Sequence, residues 1–247
     1  MHTPSIESIY LKGQSKRLFF LIHGYTGSTT DFNELPTYLH ESTGADVEVM
    51  LLHGHGTRVE DLDTVTFAQL LEQVETELQK QVTLYDEIII GGVSFGAQLA
   101  LILASRYPVT GVFHVCIPYR FKFPFNIPGI PLLRFFKKYW KKSVPPDEKR
   151  LRTHAFHYEH MHANGILIAN QANKELRKGV SNITCPILAI HSSNDPIGNY
   201  RALDTLIYKS STPYKKILFN HNNHNVFFSE SHTDIYDDIV RFFSHSE

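Results

Sequence analysis

Two periodicities alternate along this chain. Leu18-Phe19-Phe20-Leu21-Ile22 is apolar at every position, the pattern of a strand covered on both faces by other elements. Leu70, Leu71, Val74, Leu78 and Val82 instead return at helical spacing, which predicts an amphipathic helix over residues 67–82. Followed along the sequence, the same two patterns predict strands over 17–22, 47–52, 86–90, 111–117, 186–192 and 215–219, and further helices over 97–107, about 200–208 and about 232–243. Residues 6–11 read as an edge strand that the turn Lys12-Gly13-Gln14-Ser15-Lys16 returns into the central one, and Thr30-Asp31 offers a cap for a helix running to about Leu39. Strand and helix in succession predict the α/β class: a mostly parallel, doubly wound sheet, helices on both faces, and functional loops at the carboxyl ends of the strands.

The rhythm breaks at Pro118. Residues 119–182 carry prolines, basic and aromatic residues and several histidines, but no apolar run of the central-strand kind, so a cap or lid insertion is expected there within a single domain spanning 1–247. Inside it, residues 131–142 separate at helical spacing into two faces. Leu132, Leu133, Phe135, Phe136, Tyr139 and Trp140 share one, and Arg134, Lys137, Lys138, Lys141 and Lys142 the other. A cap helix laid over an acyl pocket, transient docking on an anionic lipid surface, and a helix packed on the core with a solvated basic face all fit that pattern.

Composition narrows the partners. A chain of 247 residues that is 42% hydrophobic and 20% charged can bury a substantial core in one large domain. A formal charge of −1 gives no global field to attract nucleic acid. No apolar stretch approaches the length of a membrane span, and residues 1–10 lack a basic segment followed by an apolar one, so a soluble cytoplasmic protein is expected. Cys116 and Cys185 each lie in or beside a strand-like run and read as free core thiols rather than a disulfide framework.

The candidate chemistry centres on Gly92-Val93-Ser94-Phe95-Gly96, which falls between a predicted strand and a predicted helix. A serine at such a turn is held in a strained backbone conformation, and side chains at the flanking positions would collide with the neighbouring strand and helix; glycine removes both collisions. The next amide, that of Phe95, then sits at a helix N-terminus, where an anion is stabilised. An activated serine needs a base, and the base needs a carboxylate to fix its tautomer. Asp195 follows the strand over 186–192, although an Asp before Pro also starts turns. His221 and His224 share the loop after the last strand, and loop position together with the chain order serine, acid, histidine favours His224. Gly24, Tyr119, Ile197 and Val226 are candidate substrate-binding positions on or beside these loops.

With these landmarks in order, and His23-Gly24-Tyr25-Thr26-Gly27 after the central strand, the chain resembles the serine α/β-hydrolases, and among them the small carboxylesterases and monoacylglycerol-lipase-like enzymes. The resemblance implies the α/β-hydrolase fold and an oxyanion hole made by the backbone N–H groups of Tyr25 and Phe95. It further implies cleavage of short- to medium-chain acyl esters or monoacylglycerols through an acyl-serine, with Ser94 as nucleophile, His224 as base and Asp195 as its orienting acid. Thioester or aminopeptidase-like hydrolysis on the same triad, and a non-catalytic ligand receptor on the same fold, are the alternatives. Acyl length, alcohol part and oligomeric state stay open. Two local departures stand out: His53 precedes Gly54-His55-Gly56 where relatives often carry proline, and Asn223 precedes His224 where a small residue is more usual. His154, His157, His160 and His162 lack the cysteines or the His-Glu-x-x-His pattern of a metal site, as does the His53–His55 pair, so neither metal nor organic cofactor is expected.

Overall fold

A computed structural model describes residues 6–126, 137–142, 146–152, 155–156, 158–207, 212–220 and 223–244. The strands of the first half are β1 (Ile9–Leu11), β2 (Arg17–Ile22), β3 (Asp46–Met50), β4 (Glu87–Val93) and β5 (Gly111–Val115), interleaved with helices α1 (Leu35–Thr43), α2 (Phe67–Val82) and α3 (Phe95–Ala104). There follow β6 (Tyr139–Lys141), α4 (Pro146–Leu151), β7 (His160–His162), α5 (Asn164–Gly179), β8 (Ile187–Ser192), α6 (Ala202–Ile207), β9 (Tyr214–Phe219) and α7 (His232–Ser244). Seven strands form one sheet in the order β1-β3-β2-β4-β5-β8-β9, while β6 and β7 pair separately. All neighbours in the large sheet are parallel except β1, which runs antiparallel on β3 at the edge. The α/β class and the mostly parallel, doubly wound sheet are therefore as the periodicities predict.

The core explains the order. Residues 18–22 of β2 are fully buried, and their side chains alternate between two apolar clusters. Leu18, Phe20 and Ile22 pack with α2, α3 and α5 on one face, whereas Phe19 and Leu21 pack with α1 and α7 on the other. Each such side chain stabilises the fold by roughly 1.5–3 kcal/mol relative to exposure, so a strand with five of them belongs inside the sheet. The helix over Phe67–Val82 has the predicted bounds and is closed by a capping box in which the Thr66 side chain accepts from the Gln69 amide. Both cysteines are free and buried. Among the described residues no helix is long and apolar enough to cross a membrane.

Three local expectations need correction. Thr30 and Asp31 do not cap a helix: Ser28 caps a short 3-10 turn, Thr29–Phe32, and the buried Asp31 side chain turns inward. Strand β4 continues past Ile90 to Val93, because the two glycines there still pair in register with Leu21 and Ile22. The two-faced helix over 131–142 is absent at Tyr139–Lys141, which is strand β6, while residues 131–136 lie outside the described residues. Pairing with His160–His162 supplies the physical reason. Trp140 and Met161, directly opposite, line the same cavity, while Tyr139 and His162 turn to a common partner, the Asp63 carboxylate.

Candidate active site

The loops at the carboxyl ends of β2, β4, β8 and β9 converge above the sheet. Ser94 sits directly after β4 with φ 54° and ψ −115°, a region that residues with a side chain rarely occupy. Such a conformation costs of order 1–3 kcal/mol and persists only when its surroundings enforce it. Here they do. The Ser94 amide donates to the Val115 carbonyl at 2.8 Å, and its own carbonyl accepts from Ala97 at 3.0 Å. A Cβ on Gly92 would lie 2.2 Å from the Gly96 carbonyl oxygen, and one on Gly96 would lie 1.9 Å from that of Ile22, so strand, turn and helix approach too closely for any side chain. Phe95 opens α3, where the first amides have no intrahelical acceptor.

Three side chains from separate loops form a line. His224 Nε2 lies 2.7 Å from Ser94 Oγ, and His224 Nδ1 lies 2.9 Å from each carboxylate oxygen of Asp195. The carboxylate is fully buried, whereas the imidazole keeps 18% of its surface exposed toward the cavity. Asp195 Oδ1 also accepts the amides of Ile197 at 2.7 Å and Gly198 at 3.0 Å. Burial alone would raise the pKa of this carboxyl group; its interactions with His224, and with the His191 ring behind, outweigh burial and hold it well below the usual carboxylate range. His224 Nδ1 thus carries the proton it shares with Asp195, leaving Nε2 free to accept from the serine hydroxyl.

The two glycine-punctuated loops are bolted together by histidines. His23 Nε2 accepts from the Leu52 amide at 3.0 Å, which fixes the proton on Nδ1, 2.8 Å from the Gly24 carbonyl. His55 does the same in reverse direction along the chain: Nε2 faces the Thr26 amide at 3.4 Å, and Nδ1 donates to the His53 carbonyl at 3.0 Å. Burial keeps both rings neutral, lowering His23 to about 4 and His55, with His23 beside it, to about 3. Asp31 Oδ2 accepts the Gly24 amide at 3.2 Å, and Lys142 Nζ reaches the Thr26 carbonyl at 2.8 Å. The loop that carries the Tyr25 amide is thereby held from four directions.

A cavity of about 480 Å³ opens over Ser94. Its lining includes Gly24, Tyr25, Phe95, Ile197 and His224 from the loops, and Phe121, Trp140, Met161 and Ile166 from the region between β5 and the body of α5. Of the four candidate substrate-binding positions, Gly24 and Ile197 line this cavity. Tyr119 and Val226 do not. Tyr119 packs in the core with Arg177 over its ring, and Val226 is wholly buried with Phe227 in the cluster beneath the sheet, because each follows its loop's return into the fold.

Several supporting residues carry no motif. Asn223, the departure before His224, donates from its amide to the carbonyls of Asn225 at 3.0 Å and Phe228 at 3.1 Å; Asn225 donates to the Asp31 carbonyl at 2.8 Å. Lys122 clamps the acid loop through the Asp195 carbonyl at 2.6 Å. The cluster of asparagines around His224 was the one signal of this bracing visible in the sequence. The histidine series separates: His162 donates to Asp63 from Nε2 at 2.6 Å and accepts the Asn164 amide at 3.0 Å on Nδ1, while His154, His157 and His221 lie outside the described residues. Among the described residues, one trio of potential metal ligands lies within 4.8 Å, Cys116, His191 and Asp195, and it includes the carboxylate already engaged by His224.

A parallel sheet with a serine on a strained strand-to-helix turn, backed by histidine and aspartate, defines a class of hydrolase, and the chain belongs to it: residues 19–237 match the alpha/beta hydrolase family. Among characterised relatives it is 25% identical over 214 residues to the thermostable monoacylglycerol lipase of Bacillus sp. (strain H-257), covering 83% of this chain and 81% of that one. It is 24% identical over 236 residues to the carboxylesterase of Bacillus subtilis (strain 168), covering 94% and 93%. A structure from a study of the metagenome-derived lipolytic enzymes LipS and LipT superposes with a TM-score of 0.83 at 19% identity, over 97% of both chains, a likeness of fold.

Proposed function

We propose that this protein hydrolyses carboxylic esters through an acyl-serine intermediate on Ser94. The observation that carries the reading is the Ser94–His224–Asp195 line at 2.7 and 2.9 Å. His224 Nε2 takes the hydroxyl proton as Oγ bonds to the ester carbonyl carbon, and the carbonyl π electrons move onto oxygen. The Tyr25 and Phe95 amides receive that oxyanion, each worth roughly 3 kcal/mol in the transition state. As the carbonyl re-forms, the C–O bond to the alcohol breaks and His224 returns the proton to the departing oxygen. Water, deprotonated by His224, then releases the acid and restores the serine.

The substrate is an ester with an apolar acyl chain. A cavity of about 480 Å³ falls in the range of small-molecule sites and suits an ester of modest size. The apolar wall of Phe121, Trp140, Met161 and Ile166 suits the acyl chain, and the region 119–182 that supplies it acts as the cap. Two free, buried thiols accord with a reducing, cytoplasmic setting. A fluorophosphonate probe tests the reading: the wild type is labelled and Ser94→Ala is not. Absence of labelling in the wild type, or equal labelling of both, favours a ligand receptor on the same fold and overturns it.

A further inference from the structure

The wall behind Asp195 contains a second imidazole that the line of three does not use. His191 belongs to β8, four residues before Asp195, and is fully buried. Its Nε2 lies 3.1 Å from Asp195 Oδ2, while His224 approaches both carboxylate oxygens at 2.9 Å. The N–O contact is off the alignment of a full hydrogen bond, and among the described residues neither ring nitrogen of His191 has another hydrogen-bond partner. Its other neighbours are His114 on β5, kept neutral by burial, and the Cys116 thiol.

An imidazole nitrogen with a bare lone pair would repel a carboxylate oxygen at this distance, so Nε2 bears the proton. The two carboxylate oxygens are then distinguished. Oδ1 is pinned by the amides of Ile197 and Gly198, and among the described residues Oδ2 has no amide partner of its own. Without His191, rotation of the carboxylate about its last bond is opposed at Oδ2 by His224 alone.

We propose that His191 is a positioning residue: its Nε2–H holds Oδ2 of Asp195 in the rotamer that presents both oxygens to His224. This rests on the reading of Asp195 as the acid of the triad. Misplacement of such a group typically costs 10- to 100-fold in turnover. In His191→Leu, kcat per active site titrated with fluorophosphonate is expected to fall by that factor with KM within about twofold. His191→Gln, which restores an N–H at similar reach, is expected to recover most of the loss. A purely structural role would instead lower the titratable fraction and the melting temperature while leaving kcat per site unchanged.

Wild-type turnover per site in His191→Leu, or equal losses in the leucine and glutamine variants, overturns the proposal. So does the intact wild-type protein if long-range ¹H–¹⁵N correlation of the His191 ring shows Nε2 unprotonated at neutral pH, a measurement that needs no variant to fold. Asp195→Asn separates the two levels. If that variant retains normal turnover, the triad reading itself fails; if it is inactive while His191→Leu is normal, only the role of His191 fails.

Discussion

Three buried histidines make the fold sensitive to acid well above the range in which carboxylates protonate. Burial lowers His23 to about 4, His55 to about 3 and His114 to about 3, against 6.5 for an ordinary histidine. In the unfolded chain each takes up a proton as pH falls through 6.5, whereas in the fold none does so until pH approaches 4. The unfolded state therefore binds up to three more protons across this window, and the stability present above pH 6.5 is lost as pH falls. Glu48 works in the opposite sense. Burial, with Glu77 beside it, raises its carboxyl to about 7, so its contribution is gained as pH falls from 7 toward 4.5, although solvent screening at this half-buried position weakens it.

The net difference lies between two and three protons, and at about 1.4 kcal/mol each gives a slope of about 3 kcal/mol per pH unit near pH 5.5. Between pH 6.5 and 5 that amounts to about 4 kcal/mol, a large part of a typical domain's total stability of about 5–15 kcal/mol. Urea melts followed by far-UV circular dichroism at half-unit steps from pH 7.0 to 5.0 measure it. In His114→Phe, where one titrating ring is gone, the slope is expected to fall by about 1.4 kcal/mol per unit. A stability constant within 1 kcal/mol down to pH 5, or a His114→Phe slope equal to the wild-type one, would refute the reasoning.

Two other outcomes follow from the close approach at the turn and from the cavity. Gly96→Ala sets a methyl group 1.9 Å from the Ile22 carbonyl oxygen and 2.6 Å from that of His23, both backbone atoms; a loss of about 3 kcal/mol or more is expected in the urea midpoint, with turnover reduced because the Gly24–Gly27 loop must shift. A wild-type midpoint would show that α3 has more freedom than the packing implies. In a series of monoacylglycerols, kcat/KM is expected to rise while added methylenes are buried against Phe121, Trp140, Met161 and Ile166 and to decline once the chain outgrows the cavity. A monotonic rise to sixteen-carbon chains, read by fatty-acid release, would contradict that fit.

What the sequence revealed was mostly local in its cause. The continuous apolarity of β2 and the helical spacing in α2 arise from neighbours along the chain, so element type and the α/β class could be read directly. The glycines of the serine turn were legible for a related reason: a clash between adjacent strand, turn and helix is encoded within five residues. Contacts between distant segments had no such signature. His23 bonds Leu52 across 29 positions, and Lys142 bonds Thr26 across 116, and nothing in either local pattern announces the partner. Tyr119 and Val226 are buried away from the cavity although both lie beside its loops, because proximity to a loop in sequence does not say which side of the chain faces the cavity. Helix α5 had a visible apolar stripe at Ile166, Ala169, Ala172 and Leu176. Residues 139–141 became strand because their pairing partner lies twenty residues away, beyond the reach of any periodicity.

The backbone at Ser94 bears on the choice between an enzyme and a receptor. A pocket that only enclosed a ligand would need no nucleophile held upright above the sheet, whereas the turn at φ 54° holds the Ser94 hydroxyl against His224. The torsion angles of Ser94, fixed between two positions where no side chain fits, keep the hydroxyl raised before any ester arrives, so the backbone need not reorganise when one does.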